Sequence, residues 1–242
     1  MCISLFLLIT SVPLCIRMLL ESQYKEEITQ LYDVDHSVIP KHAYKKGSSS
    51  LEFQYKKSKI KVQIANIHGE IRGSESGYKR LGDIHIFVNS KHFDTLSKRI
   101  LVKEYVENPF DVASISDDLS IFELTNHQSG KKILIIIEDI GNFIIKTEAD
   151  RGYYKEGSLE EQKYRLYLID DQGRIKKQEF GYEGKRTKLQ TYLAQQISTT
   201  KFGHYTDLLD AYVSIIVPFM YPIFSALLGL CLLPFTITIK EK

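Results

Sequence analysis

The sequence predicts an α+β domain, built on an antiparallel sheet with flanking helices and bracketed by N- and C-terminal transmembrane helices. Three observations predict it. Both ends of the 242-residue chain are apolar runs, the residues between them alternate apolar and polar positions, and helical spacing takes over at the margins of that region. Alternation of period two marks half-buried strands, and strands in series with helices at the ends make an α+β layer. The expected division is a transmembrane helix over 1–20, an amphipathic helix and linker over 21–50 and a soluble domain over 51–207. A second transmembrane helix over 208–239 and a tail over 240–242 complete it.

The N-terminal run Met1–Ile16 is followed by Arg17 and then Met18-Leu19-Leu20. A cleaved signal needs a positive leading segment and a small-x-small site, and neither is present. Val12-Pro13-Leu14 before Cys15 also fits a lipoprotein signal poorly. A spanning helix whose Arg17 snorkels toward the headgroups fits better. At the other end, Ala211–Ile239 holds 29 consecutive uncharged residues, closed by Lys240-Glu241-Lys242. A hydrocarbon core about 30 Å thick takes about 20 apolar helical residues. A soluble helix seldom lacks a polar face over such a length. Pro218 and Pro222 share one face and read as a tolerated kink, with a hinge or pore lining as the sharper alternative. Ser225, Ala226 and Gly229 form a small-residue patch that admits a close helix neighbour.

After the first span, Leu20, Tyr24, Ile28 and Leu31 recur at helical spacing, which carries the helix to about Tyr32. Asp33–Ser50, with Pro40 and Gly47-Ser48-Ser49-Ser50, reads as a linker. Leu51/Phe53/Tyr55 and Ile60/Val62/Ile64 then alternate with polar neighbours, Ile84/Ile86/Val88 alternate with His85 and Phe87, and all three runs predict strands. Ile133–Ile137 is a continuous apolar run and predicts a strand buried on both faces. A turn over Glu138–Asn142 is expected to return it as Phe143–Lys146. Tyr164–Ile169 and Arg174–Phe180 flank Asp170-Asp171-Gln172-Gly173, a hairpin signal. Thr187–Ser198 closes the domain as a helix with Leu189, Tyr192, Leu193 and Ile197 on one face.

The chain carries 32 Lys and Arg against 30 Asp and Glu, and setting aside Arg17, Lys240, Glu241 and Lys242 leaves the middle region neutral. Such a balance speaks against a nucleic-acid partner. Cys2, Cys15 and Cys231 all lie in the apolar runs, so no disulfide or cysteine-based zinc site is available to the domain. Together with the lack of any Asn-x-Ser/Thr acceptor, this loosely fits a bacterial source. Two spans place both termini on one side of the cell membrane. Arg17, Lys25, Lys188 and Lys201 on the domain side outnumber Lys240 and Lys242, so the positive-inside rule leans toward a cytoplasmic domain.

Two constellations are candidates for a site. His68, Glu70, Asp83 and His85 offer two imidazoles and two carboxylates, a donor set for zinc or another divalent metal. Pairing Ile64 with Ile86 and Val62 with Val88 puts His68 and His85 on opposite faces, unless a bulge at Gly69 resets one strand. Lys56, Lys57, Lys59 and Lys61 form the densest basic run, suited either to anionic lipid or to a solvated strand edge. Asp117-Asp118 and Asp170-Asp171 sit at expected turns, and His36, His42, His92, His127 and His204 lack chemical neighbours in the sequence. No phosphate-binding loop, dinucleotide glycine fingerprint or nucleophile elbow is present, and no cofactor is implied. The expectation is therefore a two-span integral membrane protein whose domain is a non-enzymatic protein-interaction module, with the lipid bilayer and another protein as partners. A membrane-anchored metal-dependent hydrolase and an oligomeric channel or transport accessory are the alternatives.

Overall fold

In the computed structural model of the protein, the described residues are 2–40, 43, 50–72, 78–101, 119–141, 143–148, 151–156, 159–197, 202–207 and 219–238. They belong to two compact units. One comprises Met1–Thr29 with Lys201–Lys242, and the other Gln30–Thr200.

The first unit is built on helix α1, Cys2–Leu31, which runs unbroken through the apolar segment and the amphipathic stretch after it. A π-helical turn, Phe219–Phe224, leads into a further helix, Ser225–Thr238, which meets α1 at Gly229. Pro222 falls within the π turn, where the missing N–H is absorbed by the wider winding. The Ser4 hydroxyl donates to the Gly229 carbonyl at 2.8 Å. A Cβ at Gly229 would stand 2.9 and 3.0 Å from side-chain atoms of Leu8, so the small residue sets the approach of the helices. Since residues 202–207 lie against Glu21 and Tyr24 and Gly229 lies against Ser4, the two chain segments run antiparallel. Among the described residues, α1 alone is long and apolar enough to cross a bilayer. The expected second span falls partly on residues outside the described ones, 208–218 and 239, and Phe219–Thr238 is its described part.

The second unit is α+β, and among the described residues its strands pair antiparallel but for one parallel bridge, Arg72 to Tyr153. The single sheet expected from the strand pattern is two. Strands β1 (Tyr32–Asp35), β6 (Leu119–Asn126), β7 (Lys131–Asp139), β10 (Lys163–Ile169) and β11 (Ile175–Gly181) form a five-stranded sheet in the order β1-β6-β7-β10-β11. Strands β3 (Ser58–Arg72), β4 (Tyr78–Val88), β5 (Lys91–Leu101), β8 (Phe143–Glu148) and β9 (Arg151–Glu156) form the second, in the order β5-β4-β3-β9-β8. Strand β2 (Ser50–Tyr55) pairs with β3 beside that path.

The sheets face each other across one apolar core. Leu51, Phe53, Ile60, Val62, Ile84 and Ile86 come from the six-stranded sheet, and Ile121, Leu134, Ile136, Tyr167 and Ile169 from the five-stranded one. Ile135 and Ile137 point to the opposite side of β7, where helix α2 (Lys188–Ala194) packs. All four residues Leu134–Ile137 are fully buried, the pattern of a strand covered on both faces. Helix α2 starts in a capping box: Thr187 accepts from the Gln190 backbone, and the Gln190 side chain accepts from the Thr187 backbone. It is shorter than its apolar periodicity predicts.

Three expectations are corrected here. Tyr32–Asp35 is not linker but an edge strand on β6, with Val34 opposite Leu124. Phe143 does not return along β7, because the chain changes sheets there and β7 pairs with β10 instead. Gly141 permits the change: its N–H meets the Asp139 carboxylate, and a Cβ would lie 2.0 Å from the Glu161 carbonyl. Finally, β3 and β4 pair two residues away from the expected register, Ile64 with Ile84 and Val62 with Ile86. The apolar faces match in either register, so parity was right and offset was not. The Asp170–Gly173 hairpin is as expected, with Gly173 at φ +77, and a Cβ there would stand 2.4 Å from the Ser58 hydroxyl of the other sheet.

Candidate functional site

Among the described residues, the hairpin of β4 and β5 brings together His85, His92, Asp94 and Thr95. Its two-residue turn, Asn89-Ser90, takes positive φ at both positions, the geometry that suits the twist of two strands. Asn89 latches the turn to β3: its N–H donates to the Lys59 carbonyl at 2.8 Å, and its Oδ1 accepts from the Lys59 N–H at 2.9 Å. Phe87 then pairs with His92, but Ile86 pairs with Asp94, so Phe93 is an extra residue. Such a bulge keeps two successive side chains on one face. Phe93 and Asp94 both turn inward to Tyr167, while His92 and Thr95 both stand outward beside His85.

On the outer face, His85 Nδ1 lies 2.9 Å and His92 Nε2 lies 2.8 Å from the same atom, Thr95 Oγ1. The two nitrogens are 3.4 Å apart. A hydroxyl has one proton to donate, so one imidazole accepts from Thr95 and the other donates to it. Phe87 packs edge-on against His92, with the Lys61 ammonium over its ring at 5.4 Å. Beside it, Glu52, Lys59, Lys61, Phe87 and Ser90 line a shallow depression.

On the inner face, Asp94 Oδ2 accepts from the Tyr167 hydroxyl and the Lys177 ammonium, each at 2.7 Å, which ties the two sheets together. Burial pushes the Asp94 carboxyl up, but those two donors and the Thr95 N–H outweigh it and hold it below the usual range. Burial and the Asp94 charge push the Tyr167 hydroxyl well above the tyrosine range, so it donates as a neutral phenol. Next to it, fully buried Glu138 faces the Arg165 guanidinium at 3.8 Å, and Arg165 also holds Glu179 at 2.8 Å. A carboxylate whose pKa is depressed by folding stabilises the fold above its unfolded value, about 3.9, and loses that contribution as pH falls through the folded value. Asp94→Asn is therefore expected to flatten the acid limb of the stability curve below about pH 4. Denaturation midpoints measured against pH test this, and an acid limb as steep as in the native protein would contradict it.

No family model, curated protein or solved structure matches this chain.

Of the residues singled out in the sequence, Asp83 and His85 are described with their side chains and meet different partners. Asp83, nearly buried, accepts from the Asn66 side chain at 3.0 Å, while His85 turns to Thr95 and His92. Strand β3 carries two extra residues between Ala65 and Gly69 relative to β4, a larger irregularity than the one-residue bulge weighed for Gly69. The side chains of His68 and Glu70 lie outside the described ones. Among the described residues, no group of three or more His, Cys, Asp or Glu is placed to hold a metal ion. The lysines do not share one face. Lys56 and Lys57 occupy the β2–β3 turn, and Lys56 donates to the Lys132 carbonyl at 3.1 Å. Lys59 is paired with Glu52 at 2.6 Å, and Lys61 covers Phe87. His42 and Asp117-Asp118 lie outside the described residues. His92 has no chemical neighbour along the sequence; the turn sets it diagonally from His85, and the bulge at Phe93 brings Thr95 to both.

The first unit holds a second polar arrangement. Glu21 of α1 is fully buried, and its carboxylate accepts backbone N–H groups from His204 at 3.1 Å, Tyr205 at 2.6 Å and Thr206 at 3.4 Å. Tyr24, one turn on, packs against the His204 ring in a tilted arrangement with ring centres 5.1 Å apart. Gly203 is obligatory in this clasp, since a Cβ would lie 2.1 Å from the Thr206 carbonyl and 2.6 Å from Glu21 Oε1.

Proposed function

We propose that the chain is a two-span integral membrane protein of the cell membrane, whose α+β domain works by binding another protein at the membrane surface. One observation carries the membrane reading: the helix pair is built inside out. Ser4, Ser11 and Glu21 are buried, whereas Phe6, Ile9 and Leu19 are 65%, 63% and 65% exposed. Leu227 and Leu230 on the opposing helix are likewise more than half exposed. Water would drive those side chains inward, at about 25 cal/mol per Å². Lipid would not, and helices in lipid associate instead through small residues and hydrogen bonds such as that between Ser4 and Gly229.

The apolar part of α1 ends at Leu20, and Glu21 there holds residues 202–207, which precede the second apolar run in the sequence. Two antiparallel spans then put both termini on one side, with the domain on the cytoplasmic side by its flanking Lys and Arg. The binding role is supported by the outer face of the six-stranded sheet. There Glu52, Lys59, Lys61, His85 and His92 surround Phe87, a mixed-charge surface with an aromatic centre.

The test is a set of single-cysteine variants in the cysteine-free domain, probed on intact cells with a membrane-impermeant thiol reagent. Protection that is lost on permeabilisation is expected. Extraction of the whole protein into alkaline carbonate would overturn the spanning reading. A photo-crosslinker at Phe87 that captures no second protein would overturn the binding reading.

A further inference from the structure

The geometry points to a divalent transition-metal site formed by His85, His92 and Thr95 on the outer face of the six-stranded sheet. The inference does not rest on the membrane reading. His85 Nδ1 and His92 Nε2 aim at one point, since both lie within hydrogen-bonding distance of Thr95 Oγ1. Converging ring nitrogens are what chelation requires, with the imidazole that donates to Thr95 moving its proton to its other nitrogen as the ion binds. The spacing also fits. Two nitrogens bound to one tetrahedral ion at about 2.1 Å each stand about 3.4 Å apart, and these stand 3.4 Å apart before any ion arrives.

The backbone holds that spacing. The bulge at Phe93 fixes His92 and Thr95 on the face of His85, and the latched Asn89-Ser90 turn fixes the strand pairing. The inward anchors, Asp94 on Tyr167 and Lys177, hold the bulge from the other side. The ligand class follows from the donors. Two neutral imidazoles without a carboxylate select borderline cations such as zinc, nickel and copper over magnesium or calcium, which need oxygen donors. The Thr95 hydroxyl moves aside by about half an ångström to become a third donor, and water completes a tetrahedron on the exposed side.

This set differs from the one that the sequence suggests. It keeps His85, exchanges Asp83 for Thr95, and takes its second imidazole from across the hairpin rather than from β3. The experiment is isothermal titration of the full-length, tag-free protein in detergent with zinc chloride alone. The expected result is one saturable zinc per chain, weakened roughly tenfold or more by His85→Gln or by His92→Gln. The variant His127→Gln, on the exposed β6–β7 turn, is expected to leave it unchanged. A wild-type protein that shows no saturable binding would overturn the proposal, as would affinity retained in both hairpin variants. Copper(II) electron paramagnetic resonance on the unmodified protein gives a second reading that does not depend on any variant folding. Two equivalent imidazole nitrogen couplings support the site, and a spectrum with one or none overturns it.

Discussion

Glu21→Ala is expected to destabilise the helix pair by about 3–5 kcal/mol, the largest effect of any single polar substitution among the described residues of that unit. The carboxylate is inaccessible to water and accepts three successive backbone N–H groups, so its removal leaves three amides without the partner that orients them. Each charge-assisted bond contributes about 1.5–3 kcal/mol, and the three are not additive because one group makes them all. Glu21→Gln retains the shape but not the charge, and should fall between the two. Gly203→Ala attacks the same clasp from the other side, since its Cβ would overlap the Thr206 carbonyl and force the loop open. Glu26→Ala, on the exposed side of α1, should change stability by about 0.5 kcal/mol or less. Unfolding the detergent-solubilised protein by titration with sodium dodecyl sulfate, followed by helical circular dichroism, measures all four. Coincident curves for Glu21→Ala and the native chain would remove the clasp from the account of this unit.

The clasp could not have been read from the sequence, and the reason is physical. A glutamate in an amphipathic helix normally faces water, and the partners of this one are backbone amides, which carry no residue-type signature. Strands were legible where one side chain in two had to be buried, as at Leu51–Tyr55, Ile60–Ile64 and Ile84–Val88. The double burial of Leu134–Ile137 was legible for the same reason. Alternation reports which residues turn inward but not what covers them, so it could not divide the strands between two sheets. Nor does it fix register, because a slip of two residues preserves every face, and β3 and β4 are offset by two from the expected pairing. Tyr32–Asp35 was missed because it is short and half acidic, and its pairing with β6 is a tertiary fact.

The candidate site was half legible. His85 drew attention beside Asp83, and His92 did not, although Asn89-Ser90 between two apolar strands was a usable turn signal. Folding the chain about that turn sets His92 opposite Phe87 and one step diagonally from His85. Thr95 could not have been added, since regular alternation from that turn would put it on the inner face. Only the extra residue Phe93 brings it out, and a bulge leaves little trace in one sequence.

The central strand of the five-stranded sheet gives the sharpest test of the layered arrangement. Ile135→Ala and Ile136→Ala are each expected to cost about 2–5 kcal/mol, although adjacent side chains on a strand point to opposite faces. Ile136 fills the core between the sheets, and Ile135 lies on the side of β7 where α2 packs. Both are fully buried, so each truncation leaves a cavity as well as losing transfer energy. A two-sheet sandwich with its outer face in water would tolerate the change at 135 and suffer only at 136. Leu193→Ala, from the buried side of α2, should therefore destabilise in the same range as Ile135→Ala and couple to it. If residue 135 tolerates alanine at a cost below about 0.5 kcal/mol in urea unfolding, the helical layer does not stabilise the domain. Equal losses at 135 and 136 would mean that β7 is held as firmly by the helix as by the second sheet.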